Sequence, residues 1–162
     1  MGGKNPVLVL DPAAAERLGR WLAGRLEPGM VIHLRGDLGA GKTSLVRAVL
    51  QGLGVRGPVR SPSYTLVESY DVGGRSCHHL DLYRLGDPEE LEWLGLRDLL
   101  AGPAVLFVEW PERGGALLPA PDLEIRIEHA GDRRRYRLRG PTARGAALLA
   151  GLPADLETAA GA

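Results

Sequence analysis

The stretch that most restricts how this chain can fold is "VIHLRGDLGAGKTSLVRAVL", residues 31–50. An apolar run leads into a glycine-rich loop that ends in Gly-Lys-Thr, and a helical pattern begins at once. Residues 36–43 match GxxxxGK[ST], in which glycines let successive backbone N–H groups turn inward around phosphate oxygens. The helix behind such a loop directs the positive end of its dipole at the same charge. Lys42 is therefore expected on the β- and γ-phosphates of a nucleotide, and the Thr43 hydroxyl on Mg²⁺. Asp37, Leu38, Gly39, Ala40, Gly41 and Ser44 complete the expected nucleotide-binding set.

The rest of the chain can be read outward from this unit. "VLVL" (7–10) predicts a strand, followed by a helix capped by Asp11 with Pro12 at its first position. "EPGM" (27–30) ends that helix, and the helix after the loop stops at Gly52 and Gly54. "YTLVESYDV" and "SCHHLDLYRL" flank the turn at 73–74 as a hairpin, and "DPEELEWLGLRDLL" reads as one helix capped by Asp87. "AVLFVEW" (104–110) is a continuous apolar run, as expected of a strand buried on both faces. "DLEIRIEH" and "RRRYRLRG" make a second hairpin around "AGD". The implied architecture is α/β: a P-loop NTPase-like mixed β-sheet with a parallel centre flanked by helices, plus antiparallel hairpins. Residues 1–140 read as a single domain, and 141–162 as a weakly patterned tail with a short helix and a frayed end.

Two acids stand where a nucleotide-hydrolysing site needs them. Glu109 closes the run "AVLFVE", and ligands of open α/β sheets sit beyond the carboxyl ends of strands. An acid directly after five apolar residues fits a metal, or a water to be activated, better than a strand cap does. Asp81, in "HHLDLYRL", is the second candidate, for the Mg²⁺ shell or for orienting water. Its alternative is a carboxylate bonded to backbone or to Arg84. His78 and His79 fall on opposite faces of a strand, so they are not a metal pair and read as structural. Thr65 lies on a loop-to-strand segment where P-loop proteins place γ-phosphate sensors. Trp110 leaves its strand at the nucleotide end and is expected over the nucleotide or on a partner surface.

Composition enters through what it excludes. Of twenty basic residues only Lys4 and Lys42 are lysine, so no [NT]KxD guanine-recognition element exists and ATP is favoured over GTP. The twenty basic residues balance twenty acidic ones, so the overall charge gives no electrostatic signal for nucleic acid or membrane. The run Arg133, Arg134, Arg135, Arg137, Arg139 reads first as a solvated strand face, with RNA contact as its alternative. One cysteine, Cys77, allows no intrachain disulfide. No run reaches the roughly 18 apolar residues that span a membrane, and the N-terminus lacks a signal-peptide profile. A cytoplasmic location is expected.

"GDLGAGKTSLVRAVLQGLG", "SPSYTLVESY", "HHLDLYRLGDPEELEWLGL" and "LFVEWPER", in this order, resemble the TsaE (YjeE) family over residues 8 to 130. Its members are bacterial ATPases required for threonylcarbamoyl modification of the adenosine beside the anticodon in tRNA. The resemblance maps the family's phosphate loop onto residues 36–43 and its threonine onto Thr65. It maps the H-x-D-x-Y-R acid onto Asp81 and the V-E-W pair onto Glu109 and Trp110. Ser63 and Tyr64 stand where Thr and Phe are usual. The resemblance implies an ATPase subunit of low intrinsic activity that acts on a transferase subunit and its paralogous partner protein. The tRNA would be reached indirectly, through that complex.

Two other readings compete. A small-molecule kinase needs a phosphoacceptor pocket and usually an Arg-bearing lid, and no insertion of that kind is visible. An ATP-dependent interaction module without catalysis would need neither Asp81 nor Glu109.

Overall fold

The structure is a computed structural model that describes residues 5–159. Seven strands form one sheet: β1 (Val7–Leu10), β2 (Val31–Arg35), β3 (Val67–Val72), β4 (Arg75–Asp81), β5 (Val105–Glu109), β6 (Leu123–Ala130) and β7 (Arg133–Arg139). Their order across the sheet is β1-β7-β6-β2-β5-β4-β3. The strand before the glycine loop is central, pairing in parallel with β5 on one side and β6 on the other. β4 extends the parallel centre beyond β5, and the antiparallel partners β3, β7 and β1 finish the two ends. This is the expected mixed sheet with a parallel centre.

Two helices cover one face beside the loop, α1 (Pro12–Ala23) and α2 (Lys42–Leu53). Asp11 accepts a hydrogen bond from Ala14 N at 2.8 Å, a cap of the kind that contributes about 1 kcal/mol. The two helices meet at small residues: a Cβ on Gly19 would run into Ala48, and one on Gly52 would stand 2.8 Å from Ala23 Cβ. Side chains of β2, β5 and β6 that face α1 and α2, such as Ile32, Leu34, Phe107 and Ile125, form the main core. A second cluster on the other face joins Val31, Leu80, Leu82, Leu106 and Val108 to Leu91 and Leu96.

The segment after β4 departs from expectation. Instead of one helix there are two short ones, α3 (Glu90–Trp93) and α4 (Leu96–Ala101). Gly95 separates them with a left-handed backbone, φ 78°, which breaks the helical hydrogen-bond ladder. The expected cap at Asp87 is displaced as well, because the helix starts later than the sequence suggests. Asp87 Oδ1 accepts from Glu89 N and Glu90 Oε1 from Asp87 N, so Asp87 lies in the turn ahead of α3, whose capping position is Glu89 without a side-chain cap bond.

Beyond β7 lie α5 (Ala143–Ala150) and α6 (Ala154–Ala159). Leu148, Leu149, Leu152 and Leu156 are buried in the main core, so the described part of the expected tail is packed into the domain. Asp122, at the entry to β6, ties this end down. Its carboxylate accepts from Val31 N, the Thr142 hydroxyl and the Arg144 guanidinium at 2.8–3.1 Å. Burial acts to raise the Asp122 pKa, but the Arg144 hydrogen bond, with those from Val31 and Thr142, outweighs it and holds the carboxyl below its ordinary value. The expected frayed end at 160–162 lies outside the described residues.

Candidate functional site

Period-two alternation decides which β4 and β5 side chains reach the glycine loop. Cys77 of β4 and Phe107 of β5 belong to the core under α1 and α2, so His79, Asp81 and Glu109 fall on that same face, at the carboxyl ends of their strands. Asp81 is opposite Glu109 and His79 opposite Phe107 in the parallel β4–β5 register. The two predicted acids are thus neighbours across one strand pair, and both are buried, at 5% and 3% exposure.

The loop between β2 and α2 brings the predicted phosphate ligands to these acids. Gly36 admits no side chain, because a Cβ there would stand 2.5 Å from Ile127 O. Gly41, at the start of α2, has φ 112°, a backbone that L side chains rarely adopt. Lys42 folds back over the loop: its Nζ donates to Gly36 O at 2.6 Å and to Asp37 O at 2.9 Å. Thr43 Oγ1 donates to Glu109 Oε2 at 2.7 Å. Burial pushes the Lys42 pKa below the usual lysine value, opposed by the negative charges of Glu109 and Asp81.

Lys42, Thr43, Asp81 and Glu109 line one open cavity of about 200 Å³, together with Leu38 and Ser63. A larger cavity, about 380 Å³, lies on the other side of the loop and shares Gly39, Gly41 and Ser44 with the first. Arg47, Gln51, Arg134 and Tyr136 line it. Arg134 Nε donates to Ala40 O at 3.2 Å, so β7 braces the loop from behind. One concavity suits phosphates, and the next has the room and the mixed polarity for a nucleoside.

Trp110 sits as the roof of the first cavity. Its ring centroid is 4.4 Å from Lys42 Nζ and 5.0 Å from the Tyr83 ring. Its backbone is left-handed, φ 58°, a conformation disfavoured for a bulky residue. Leu66 is the only other non-glycine residue with positive φ among the described residues. Both flank the site, where backbone strain commonly accumulates.

Thr65 does not line this cavity. Its hydroxyl donates to Glu68 Oε1 at 3.2 Å, on an exposed turn. Leu66 N closes that turn onto Pro62 O at 2.7 Å, and the reversal directs Ser63 inward and Thr65 outward. Ser63 Oγ then donates to Asp81 Oδ2 at 3.2 Å. Asp81 N also holds Leu66 O at 3.0 Å, so this one residue secures the turn by side chain and backbone together.

His79 was not a candidate on sequence grounds, yet its Nε2 lies 2.6 Å from Glu109 Oε2. The signal available was its position two residues before Asp81, which on a strand means the same face. His78, pointing the other way, meets the Ser69 hydroxyl on β3. Arg133–Arg139 supply strand β7, between β1 and β6, where Arg137 and Arg139 pair with Glu128 and Glu124 of β6.

The donor set can be tested against Mg²⁺. No group of three or more His, Cys, Asp or Glu fit to hold a metal occurs among the described residues, which excludes an all-protein cage there. One hydroxyl and two carboxylates beside a phosphate cradle are hard oxygen donors of the number that Mg²⁺ takes when phosphates and water supply the rest. The residues fit. No helix among the described residues is long and apolar enough to cross a membrane.

Comparison with known proteins bears on this geometry. The family model described as "Threonylcarbamoyl adenosine biosynthesis protein TsaE" matches residues 9–137. The tRNA threonylcarbamoyladenosine biosynthesis protein TsaE of Haemophilus influenzae is 47% identical over 112 residues, covering 69% of this chain and 71% of its own. Its namesake from Bacillus subtilis is 37% identical over 126 residues, 78% of each chain. A crystal structure of Bacillus subtilis YdiB superposes with a TM-score of 0.77 at 30% identity, covering 91% of this chain and 93% of the other.

Proposed function

The chain belongs to the TsaE family, a family of tRNA threonylcarbamoyladenosine biosynthesis, and from that premise we propose that it is the Mg²⁺-dependent ATPase of that process. The observation that carries the proposal is the 2.7 Å hydrogen bond from Thr43 to Glu109. It joins the first turn of the phosphate-loop helix to the carboxyl end of the neighbouring parallel strand, where a hydrolytic acid belongs.

ATP would lie with its phosphates in the cradle of residues 39–44 and its adenosine in the larger cavity beside Arg134 and Tyr136. Lys42 would leave its two loop carbonyls for the β- and γ-phosphates and stabilise charge on the transferring phosphoryl group. Thr43, Asp81 and Glu109 would hold Mg²⁺, which supplies neutralising charge to the phosphate oxygens when bound. Glu109 or Asp81 would orient the attacking water and accept its proton as the bond from the γ-phosphorus to its bridging oxygen breaks. Trp110 excludes solvent from the Lys42 side, and the turn carrying Ser63 and Thr65 flanks the other.

The product of such a cycle is ADP and phosphate, with no second substrate pocket needed. Its use would be in partners: a threonylcarbamoyl transferase subunit with its paralogous partner protein, in the cytoplasm, the tRNA being reached through that complex. The test is phosphate release from ATP by the purified chain, alone and with the transferase pair. Stimulation by the pair is the expected result. No stimulation, together with phosphate transfer to a small molecule, would replace the proposal by a kinase.

A further inference from the structure

We propose that His79 is a positioning residue for Glu109, holding the carboxylate in place when Thr43 turns from it to the metal. The inference rests on the Mg²⁺-ATP reading of the site. Three observations support it. His79 is completely buried, its Nε2 is 2.6 Å from Glu109 Oε2, and that same oxygen accepts the Thr43 hydroxyl. Glu109 Oε2 is therefore held twice, once by a group expected to leave it and once by a group that has nowhere else to go.

Which ring nitrogen carries the hydrogen follows from the surroundings. His79 Nδ1 is buried and has no hydrogen-bond partner among the described residues. A proton on Nδ1 would be cut off from any acceptor, whereas a proton on Nε2 lies on a carboxylate oxygen. Of the two tautomers, the arrangement selects the one with its hydrogen on Nε2, donating to Glu109.

A space-filling role predicts a different residue. His79 lies between Cys77 and Asp81 on its face, directly opposite Phe107. An aliphatic side chain would fill that place without leaving a buried ring nitrogen unpaired. The imidazole is useful there because it reaches diagonally from Phe107's neighbour position to the carboxylate two residues on. The relation is that of an outer-shell donor to a metal-binding carboxylate, and removal of such partners typically weakens metal affinity by about 10–100-fold.

The experiment measures affinity of the full-length chain for a non-hydrolysable ATP analogue by calorimetry, in MgCl₂ and in EDTA. Wild type, His79→Leu and His79→Gln are compared, with thermal melting of each. The Gln amide nitrogen falls close to the place of Nε2 and keeps a donor. The expected result for His79→Leu is loss of about tenfold or more of the Mg²⁺-dependent gain in affinity, with unchanged binding in EDTA. His79→Gln should recover most of the gain. A folded His79→Leu protein that keeps the full gain would overturn the positioning role and leave the Mg²⁺-ATP reading standing. Absence of any Mg²⁺-dependent gain in wild type would overturn that reading, and this inference with it. Nitrogen NMR of the wild-type ring needs no variant: Nε2–H supports the inference, and a proton on Nδ1 with Nε2 bare overturns it.

Discussion

Asp81 and Glu109 stand side by side on adjacent parallel strands, in direct register, at the ends that face the phosphate loop. Their hydrogen bonds divide them. Glu109 is bound to Thr43 of the phosphate-loop helix and to His79, whereas Asp81 is bound to Ser63 and to Tyr83 N. One acid is coupled to the glycine loop and its helix, and the other to the turn between α2 and β3. Glu109→Ala should lower partner-stimulated ATP hydrolysis by about a hundredfold or more, the usual scale for a lost acid–base group. Asp81→Ala should lower it too and in addition loosen residues 62–66, read as faster amide exchange there. Full activity in both variants would end the assignment.

Trp110 combines a ring contact with an unfavourable backbone. Trp110→Ala and Trp110→Gly both remove the contact with Lys42, of the kind worth roughly 0.5–2 kcal/mol. Only the glycine also relieves the left-handed conformation, about 1–2 kcal/mol for an ordinary residue. The glycine variant should therefore melt higher than the alanine variant, and both should bind ATP more weakly than wild type. Equal melting temperatures would mean that the backbone at Trp110 is not strained in solution.

Gly19 and Ala48 set the spacing of α1 and α2, and α2 carries Lys42 and Thr43. Gly19→Val should destabilise the domain by about 1–3 kcal/mol through overpacking. Because α2 would be displaced, nucleotide affinity should fall as well. Chemical denaturation and nucleotide titration of the same sample check both.

His33, on β2, is buried, and burial together with the charge of Arg35 holds its pKa below the ordinary value of 6.5. The unfolded chain therefore binds the proton more readily than the native one. This contribution to stability is present above the unfolded pKa, about 6.5, and is lost as pH falls below it toward the lower native value. The melting temperature should drop between pH 7.5 and pH 5.5, and His33→Leu should flatten the drop. Flattening would be partial, since His78 is shifted in the same direction by burial. An unchanged slope in His33→Leu would place the titrating group elsewhere.

The C-terminal helices offer a direct check on where the domain ends. Leu149 is fully buried in the main core, so Leu149→Ala should cost about 2–5 kcal/mol. A loss below 1 kcal/mol in urea denaturation would mean that α5 is only loosely attached.

Much was already written in local pattern. The strand, glycine loop and helix around Lys42, the cap at Asp11, the hairpins and the apolar run ending in Glu109 each depend on neighbours in the chain. Steric limits, turn chemistry and alternation act over a few residues, and so they can be read there. The fold class followed. What only the tertiary structure decided depends on which elements meet. Whether Ser63 or Thr65 reached Asp81 was decided by a turn locked by Leu66. Whether His79 was mere core or a partner of Glu109 was decided by the parallel register of β4 and β5. The leucines after residue 147 carry too little periodicity to announce a core helix, and their burial was decided by the space that α1, β1 and β7 leave between them. Pairing and packing join residues far apart in sequence, and no local rule encodes that distance.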